Sequence, residues 1–161
     1  MLLEDQDRSL WHAGLIALGF AHLERSIEGR DRTVYHVQAA IAAVHAAAPS
    51  YDKTDWTSML ALYDDLLRIN RSPIVELNRA VALAKVEGTD AALRTIARLE
   101  CEPALDAYYL LPSVKGALLQ ERGDAAGAAV AYEEALKRPC SEPEKRFLLR
   151  RLSDSREERS P

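Results

Sequence analysis

Four histidines are the side chains best suited to bind a metal ion or act as a general base: His12, His22, His36 and His45. Two helical histidines that share one metal lie on the same face, three or four residues apart. His36 and His45 are nine residues apart on one predicted helix, so they point about 180° away from each other. His12 and His22 are similarly spread. We therefore predict packed or surface histidines, and neither a metal site nor a catalytic histidine.

Paired acids are the second candidate for bond-making chemistry, and they occur at Asp64–Asp65 and Glu133–Glu134. Adjacent helical residues point about 100° apart, so neither pair forms a facing couple for acid–base work. The sequence contains no nucleophile elbow, phosphate-binding loop, dinucleotide fingerprint or zinc-protease motif. We expect a protein that is not an enzyme and that has no catalytic, cofactor-binding or metal-binding residues. The enzyme or ligand-receptor alternative requires a pocket with converging ionisable groups.

The two cysteines, Cys101 and Cys140, are far apart and neither belongs to a CxxC pair, which argues against a zinc site. Sequence alone leaves a disulfide between them open. The N-terminal stretch MLLEDQDRS has no apolar core of a signal peptide, and no window approaches the ~18 apolar residues of a membrane span. We expect a cytoplasmic protein with reduced thiols.

The net charge of the 161-residue chain is −4, so it has no overall electrostatic attraction to nucleic acid. Its basic cluster, Arg146, Arg150 and Arg151, lies on a predicted helix that also carries acids, which is typical of a solvated face. We therefore expect no direct DNA binding. The hydrophobic fraction of 48% with only 6% aromatic residues favours helices built from alanine and leucine.

Apolar residues recur with a helical period, and glycine or proline separates the periodic segments. We expect about eight helices and no strand. The first is expected to pack through Trp11, Leu15 and Leu18 with Ala21 or His22, and the tail SREERSP is expected to be frayed. Four helices have predicted bounds, which are Asp7–Gly29, Thr33–Ala48, Ser72–Glu87 with Pro73 in its first turn, and Leu105–Arg122. The other four have predicted starts, at Thr54 or Asp55, Thr89, Asp124 and Ser141, with Ser141 and Glu144 at capping-box spacing.

The segments also repeat with a period of about 36 residues. ELNRAVALAKVEGTDAALRTIARLE aligns with LPSVKGALLQERGDAAGAAVAYEEALK, and this pattern of small, aromatic and small residues resembles tetratricopeptide repeats. The alignment pairs Ala80 with Gly116, Leu83 with Leu119, Ala92 with Ala128, Ile96 with Tyr132 and Leu99 with Ala135. We predict an all-α fold, a right-handed superhelical array of antiparallel helix hairpins in a single domain. Its parts are an N-terminal capping helix (1–32), three hairpins (33–138) and a C-terminal capping helix with tail (139–161).

An Asn–Arg pair, Asn78 and Arg79, interrupts the apolar run of SPIVELNRAVALAKVEG. In a structural interpretation, Arg79 caps a helix or pairs with Asp55 or Asp64, and Asn78 satisfies a carbonyl in the turn 49–54. In a functional interpretation, both line a concave surface that binds another protein. The same two interpretations apply to further candidate residues, which are Gln38, His45, Trp56 and Tyr63.

The N-terminal group Asp5, Gln6, Asp7, Arg8 and Trp11 also has two interpretations. It forms an N-cap and a salt bridge that fix the first helix, or it forms an edge that contacts another domain. Asp5, Asp7, Arg8 and Trp11 are therefore candidate interdomain contacts.

Three stretches together resemble the C-terminal extension of a group of extracytoplasmic-function RNA polymerase sigma factors, which carry tetratricopeptide-like repeats. They are LLEDQDRSLWHAGLI, VQAAIAAVHAAAPSYDKTDWTSMLALYDDLL, and SPIVELNRAVALAKVEG followed by YYLLPSVKGALLQERGD. The resemblance covers about residues 2–153, and the sigma regions that bind the promoter are not visible in the sequence.

The resemblance implies a regulatory, protein-binding role in transcription initiation. The implied partners are the N-terminal sigma-factor regions, core RNA polymerase or a small regulatory protein, and the oligomeric state stays open. The alternative is a free-standing tetratricopeptide adaptor unrelated to polymerase.

Overall fold

The computed structural model describes residues 6–26 and 33–157, and in these ranges the chain forms eight α-helices and no strand. The all-α prediction is therefore confirmed. Short 3-10 turns at Arg8–Leu10, Tyr51–Lys53 and Pro103–Leu105 precede three of the helices. The helices are α1 (Ala13–Ser26), α2 (Val34–Ala47), α3 (Trp56–Ile69), α4 (Pro73–Glu87), α5 (Thr89–Leu99), α6 (Leu110–Glu121), α7 (Ala125–Leu136) and α8 (Glu142–Glu157).

Side-chain caps define several helix starts. The carboxylate of Asp55 accepts from the Ser58 amide at 3.0 Å before α3, and the carboxylate of Asp124 accepts from the Gly127 amide at 2.8 Å before α7. At α8, Glu144 reaches back to accept from the Ser141 amide at 2.7 Å. These bonds satisfy amides that have no partner within their own helix. They explain why the starts predicted at these three places are correct to within a residue.

The start of α6 differs from the prediction, since the helix begins at Leu110 and not at Leu105. Pro112 sets this limit because a proline is tolerated in the first turn of a helix but clashes with the preceding carbonyls in its interior. The carbonyl oxygens of Leu105 and Tyr108 instead accept from the Arg138 guanidinium, at 3.1 and 3.0 Å. The polypeptide before α6 is consequently a 3-10 turn and a short connection.

Three further expectations differ in part from the structure. The first helix begins at Ala13 and not at Asp7, because Asp7 caps the separate 3-10 turn Arg8–Leu10. Of its predicted apolar face, Trp11 and Ala21 are half-buried, whereas Leu15 and Leu18 are 65% and 53% exposed. Another set with helical spacing is half-buried there, including Ile16 and Phe20. The tail SREERSP was expected to be frayed, but it is helical as far as Glu157, and the buried Ser155 hydroxyl donates to a carbonyl one turn earlier. Residues 158–161 lie outside the described residues.

The chain divides into two compact units, residues 1–76 and 77–161, and the division falls within α4. In the first unit α2 packs against α1 and α3. Its core centres on three residues, with Tyr63 and Ile41 among the partly buried residues around it. The three core residues are Val37, Leu66 and Val75.

The second unit has two adjoining cores. One is formed by the later part of α4 with α5 and α6, and the other by α6, α7 and α8. Leu93 packs against both cores. The connection between α6 and α7 is only three residues long and contains Gly123 at φ 86°, a conformation that favours glycine. Within residues 6–26 and 33–157, none of the helices combines the length and apolar character needed to cross a bilayer.

Candidate functional site

The N-terminal segment of the first unit is attached to the C-terminal end of α2. Asp7 caps the 3-10 turn, where its carboxylate accepts from the amide and the hydroxyl of Ser9 at 2.9 and 2.6 Å. The turn presents Arg8 to α2, and Nη1 of Arg8 donates to the carbonyl oxygen of His45 at 2.7 Å and also to that of Ala48. These carbonyls are among those that a helix leaves without an internal partner at its C-terminus. A cation in this position is also favoured by the helix dipole.

Aromatic rings surround this attachment. The Arg8 guanidinium carbon lies 5.0 Å from the centre of the Trp11 ring, within cation–π range. Trp56, the first residue of α3, makes edge contacts with His45 at 5.9 Å and with Tyr51 at 5.1 Å between ring centroids. We call Arg8, Trp11, His45, Tyr51 and Trp56 the Arg8 cluster. It joins the N-terminal segment, the end of α2 and the loop before α3.

The electrostatics of the Arg8 cluster favour a neutral His45. Burial lowers the pKa of His45 from its usual value, and the nearby Arg8 charge lowers it further. The pKa of Asp7 is lowered by its hydrogen bonds from Ser9, and that of Asp55 by hydrogen bonds from Ser58. Both carboxylates therefore serve as caps at the ends of this region.

The cluster unites residues from two groups that sequence analysis treated separately. Arg8 and Trp11 were candidate interdomain contacts, whereas His45 and Trp56 were candidate binding or network residues. A salt bridge was predicted to fix the first helix. In the described residues, Arg8 instead holds the N-terminal segment through hydrogen bonds to two carbonyl oxygens and a cation–π contact with Trp11. Asp5 lies outside the described residues.

The remaining candidates of the first unit lie away from these contacts or have other roles. Gln38 is exposed on α2. Asp55 is the N-cap of α3. Tyr63 is half-buried against the core of the first unit, and burial raises its pKa. Gln38 and Asp55 are therefore exposed, and only Asp55 has a capping role.

Asn78 and Arg79 lie on α4 in the second unit. The surrounding apolar run is buried, as its composition predicts, because Leu77 and Ala80 are 1% and 0% exposed. Asn78, by contrast, is exposed, and Arg79 is half-buried. An exposed amide needs no protein partner, since water satisfies it. Both interpretations of Asn78, and the pairing of Arg79 with an acid, stay predictions.

Tyr51 and Thr54 complete the loop between α2 and α3, and neither was among the candidate site residues predicted from the sequence. Tyr51 contacts Trp56, and Thr54 is buried with only 6% of its surface exposed. An aromatic residue five positions before Trp56 in a lengthened loop was the available signal. The contact itself depends on the path of the loop, which the sequence pattern does not specify.

The Arg8 cluster contains a guanidinium, a neutral imidazole and three further aromatic rings, a composition common at protein–protein contacts. In the described part of the chain, no three histidine, cysteine or acidic side chains are placed to hold a metal ion.

The chain is 38% identical over 152 residues to an uncharacterized protein of Rhizobium meliloti (strain 1021). The match covers 94% of this chain but 36% of that protein, so the chain spans about a third of the length of the curated relative. No family model and no solved structure matches the chain.

Proposed function

We propose that this chain is the C-terminal tetratricopeptide-like extension of an extracytoplasmic-function sigma factor. It acts in transcription initiation by binding protein, either the sigma regions of the same factor or core RNA polymerase. It does not read the promoter, because its charge is −4 and its role is carried by helix surfaces that contact protein.

The observation that carries the proposal is the burial of equivalent positions in two successive helix pairs. Ala80 on α4 and Gly116 on α6 occupy the same repeat position, and both are buried. Ile96 on α5 and Tyr132 on α7 are equivalent and are both 0% exposed. The other equivalent pairs are buried as well, and they are Leu83 with Leu119, Ala92 with Ala128, and Leu99 with Ala135. A repeated packing scheme of this kind supports a stacked hairpin array.

The relative supports a role within a larger protein. A segment equivalent to nearly all of this chain makes up 36% of the Rhizobium protein, so most of that protein lies outside the matched segment. This leaves room in such a relative for sigma regions of ordinary size. The family-specific stretch EDQDRSLW supports the assignment too, since Arg8 and Trp11 belong to it and form the attachment to α2.

Exposed polar residues on the repeat helices are the proposed partner contacts. Asn78 is the best candidate because it is an exposed polar residue on α4 close to the buried residues Leu77 and Ala80. Gln38 on α2 is a second exposed candidate. Amide side chains suit such a role, because they offer both a donor and an acceptor to an extended partner.

The chain offers a matched test of the Asn78 contact, since Asn70 is also exposed and the sequence has no other asparagine. The fluorescently labelled chain is titrated with core RNA polymerase and, separately, with the sigma regions of a factor that carries this extension. We expect saturable binding to one of the two. Asn78→Ala should weaken it by about 0.5–1.5 kcal/mol through loss of a hydrogen bond. Asn70→Ala should leave the affinity unchanged.

Thermal melts of both variants serve as the stability control. Surface substitutions change the free energy of unfolding by no more than roughly 0.5 kcal/mol, so both variants should melt like the parent chain. Absence of binding to polymerase and to the sigma regions would contradict the proposed function. Equal affinity of Asn78→Ala and the parent chain would instead reject Asn78 as a contact and leave the function standing.

A further inference from the structure

Three buried polar atoms in the first unit have no hydrogen-bond partner among the described residues, and all three lie around the loop between α2 and α3. They are Nη2 of Arg8, Nδ1 of His45 and Oγ1 of Thr54. Nη1 of Arg8 is engaged with two carbonyls, but its other amino group is not. The attachment of the N-terminal segment is therefore incompletely satisfied, and it is sensitive to any added charge or donor.

Protonation of His45 adds both a positive charge and a hydrogen-bond donor. The imidazolium ion carries a hydrogen on each ring nitrogen, so buried Nδ1 becomes a donor with no acceptor. The ion also places a second positive charge beside the Arg8 guanidinium. Burial and the Arg8 charge accordingly lower the pKa of His45. The interaction is reciprocal. Because the charge of Arg8 disfavours protonation of His45, protonation of His45 disfavours the docking of Arg8 by the same free energy.

The other charged groups on the neighbouring elements do not compensate this charge. Arg8 is the group whose charge acts on the pKa of His45. The carboxylates of Asp7 and Asp55 are engaged by serines. From α3, the ring of Trp56 contacts His45, and from the turn before α3, the ring of Tyr51 contacts Trp56. None of the remaining titratable groups on these elements offsets the effect of Arg8 on the pKa of His45. The exposed ones are His12, His22, Glu24, Arg25, Tyr35, Asp52, Lys53 and Arg68, and the half-buried ones are His36, Tyr63, Asp64 and Asp65.

We propose that Arg8 and His45 form a proton-sensitive latch, in which protonation of His45 releases Arg8 from the end of α2 and frees the segment 6–11. His45 is fixed by the helix that carries it. Arg8 lies on a three-residue turn and is attached by its side chain, so Arg8 is the group that moves. Trp11 moves with it, because its ring packs on the guanidinium. Release exposes the last carbonyls of α2 and the face of Trp11. This latch does not depend on the proposed function.

The direction of the pH dependence follows from the lowered pKa. A histidine whose pKa is lower in the docked state than its ordinary value of 6.5 disfavours docking in acid. Docking is fully favoured above that ordinary value. It is lost progressively as the pH falls from there through the lowered pKa of His45.

Both tryptophans of the chain, Trp11 and Trp56, belong to the Arg8 cluster, so tryptophan emission reports on the latch. In Trp56→Phe, Trp11 is the only tryptophan, and the tryptophan ring that contacts His45 has been removed. On titration from about pH 8 to about pH 5, its emission maximum should shift to longer wavelength, with a midpoint below 6.5. Adding His45→Gln should abolish the shift. Adding His12→Gln, which removes an exposed histidine next to Trp11, should preserve it.

Any of three results would overturn the latch: no shift, a shift that survives His45→Gln, or a loss of far-ultraviolet circular dichroism in step with the shift, which indicates global unfolding.

NMR titration of the His45 ring provides a second test. In Arg8→Gln the pKa of His45 should rise toward its ordinary value, because the neighbouring charge is gone. An unchanged His45 titration in a folded Arg8→Gln variant would contradict the coupling.

Discussion

At Gly116, helices α6 and α7 approach so closely that one methyl group would collide with a neighbour. A Cβ atom added there would lie 2.8 Å from Cε1 of Tyr132, whose ring is fully buried. The equivalent pair one repeat earlier is Ala80 with Ile96, which lie in one core. Tyr132 is larger than its equivalent Ile96, and its partner Gly116 is smaller than the equivalent Ala80. This complementarity explains why the first helix of each pair carries a small residue at this position.

We predict that Gly116→Ala lowers the free energy of unfolding by about 1–3 kcal/mol, because the buried Tyr132 ring has little room to move aside. The expected loss exceeds the gain of up to roughly 1 kcal/mol that alanine brings in a helix interior. Urea denaturation followed by circular dichroism measures the change.

Gly19 provides the matched control for this substitution. It lies within α1, and an added Cβ would meet nothing within 4 Å. Gly19→Ala should therefore stabilise the chain by roughly 0.5–1 kcal/mol through helix propensity alone. A stabilising effect at both positions would show that the close packing of Gly116 on Tyr132 has been misjudged.

Individual residues were predictable from the sequence where the repeat pattern or the apolar run of one helix determines their environment. The packing of Gly116 on Tyr132 follows from the repeat pattern, and the burial of Leu77 and Ala80 follows from the apolar run. The Arg8 contact was not predictable, because it joins residues about 40 positions apart through backbone carbonyls that carry no side-chain signal. The exposure of Asn78 was also uncertain, since Leu and Ala surround it in sequence.

At the scale of the helix, capping residues made the starts of α3, α7 and α8 predictable. The start of α6 was missed because the apolar pattern extends back to Leu105, although Pro112 already excludes so early a start. The packed face of α1 was missed for another reason. Its apolar residues surround most of the helix, so more than one stripe fits the helical period and only the contact with α2 selects between them.

We predict that Asp124→Ala lowers the free energy of unfolding by about 1 kcal/mol, because it removes the acceptor for the Gly127 amide at the start of α7. Asp124→Asn should retain nearly all of the stability, since asparagine caps helices as well as aspartate does. Thermal denaturation of the two variants separates the capping bond from the charge. A loss in Asp124→Asn as large as that in Asp124→Ala would contradict the capping account.

At the scale of the whole molecule, the helical class and the eight helices within residues 6–26 and 33–157 follow from periodicity, glycine and proline. The division into residues 1–76 and 77–161 does not follow, because it falls inside α4, a helix with a continuous apolar pattern. The repeat alignment is strongest in the second unit, where both helix pairs bury equivalent positions. The Arg8 cluster belongs to the first unit and has no counterpart in the repeat pattern.

The central claim is that this chain regulates a sigma factor through protein contacts. Promoter-dependent run-off transcription tests it most directly, using a full-length factor that carries this extension and the same factor without the segment equivalent to residues 6–157. The account predicts that removal changes transcript yield at equal factor concentration, while the sigma regions still fold as judged by circular dichroism. Identical yields with and without the segment, over a range of factor concentrations, would contradict the account.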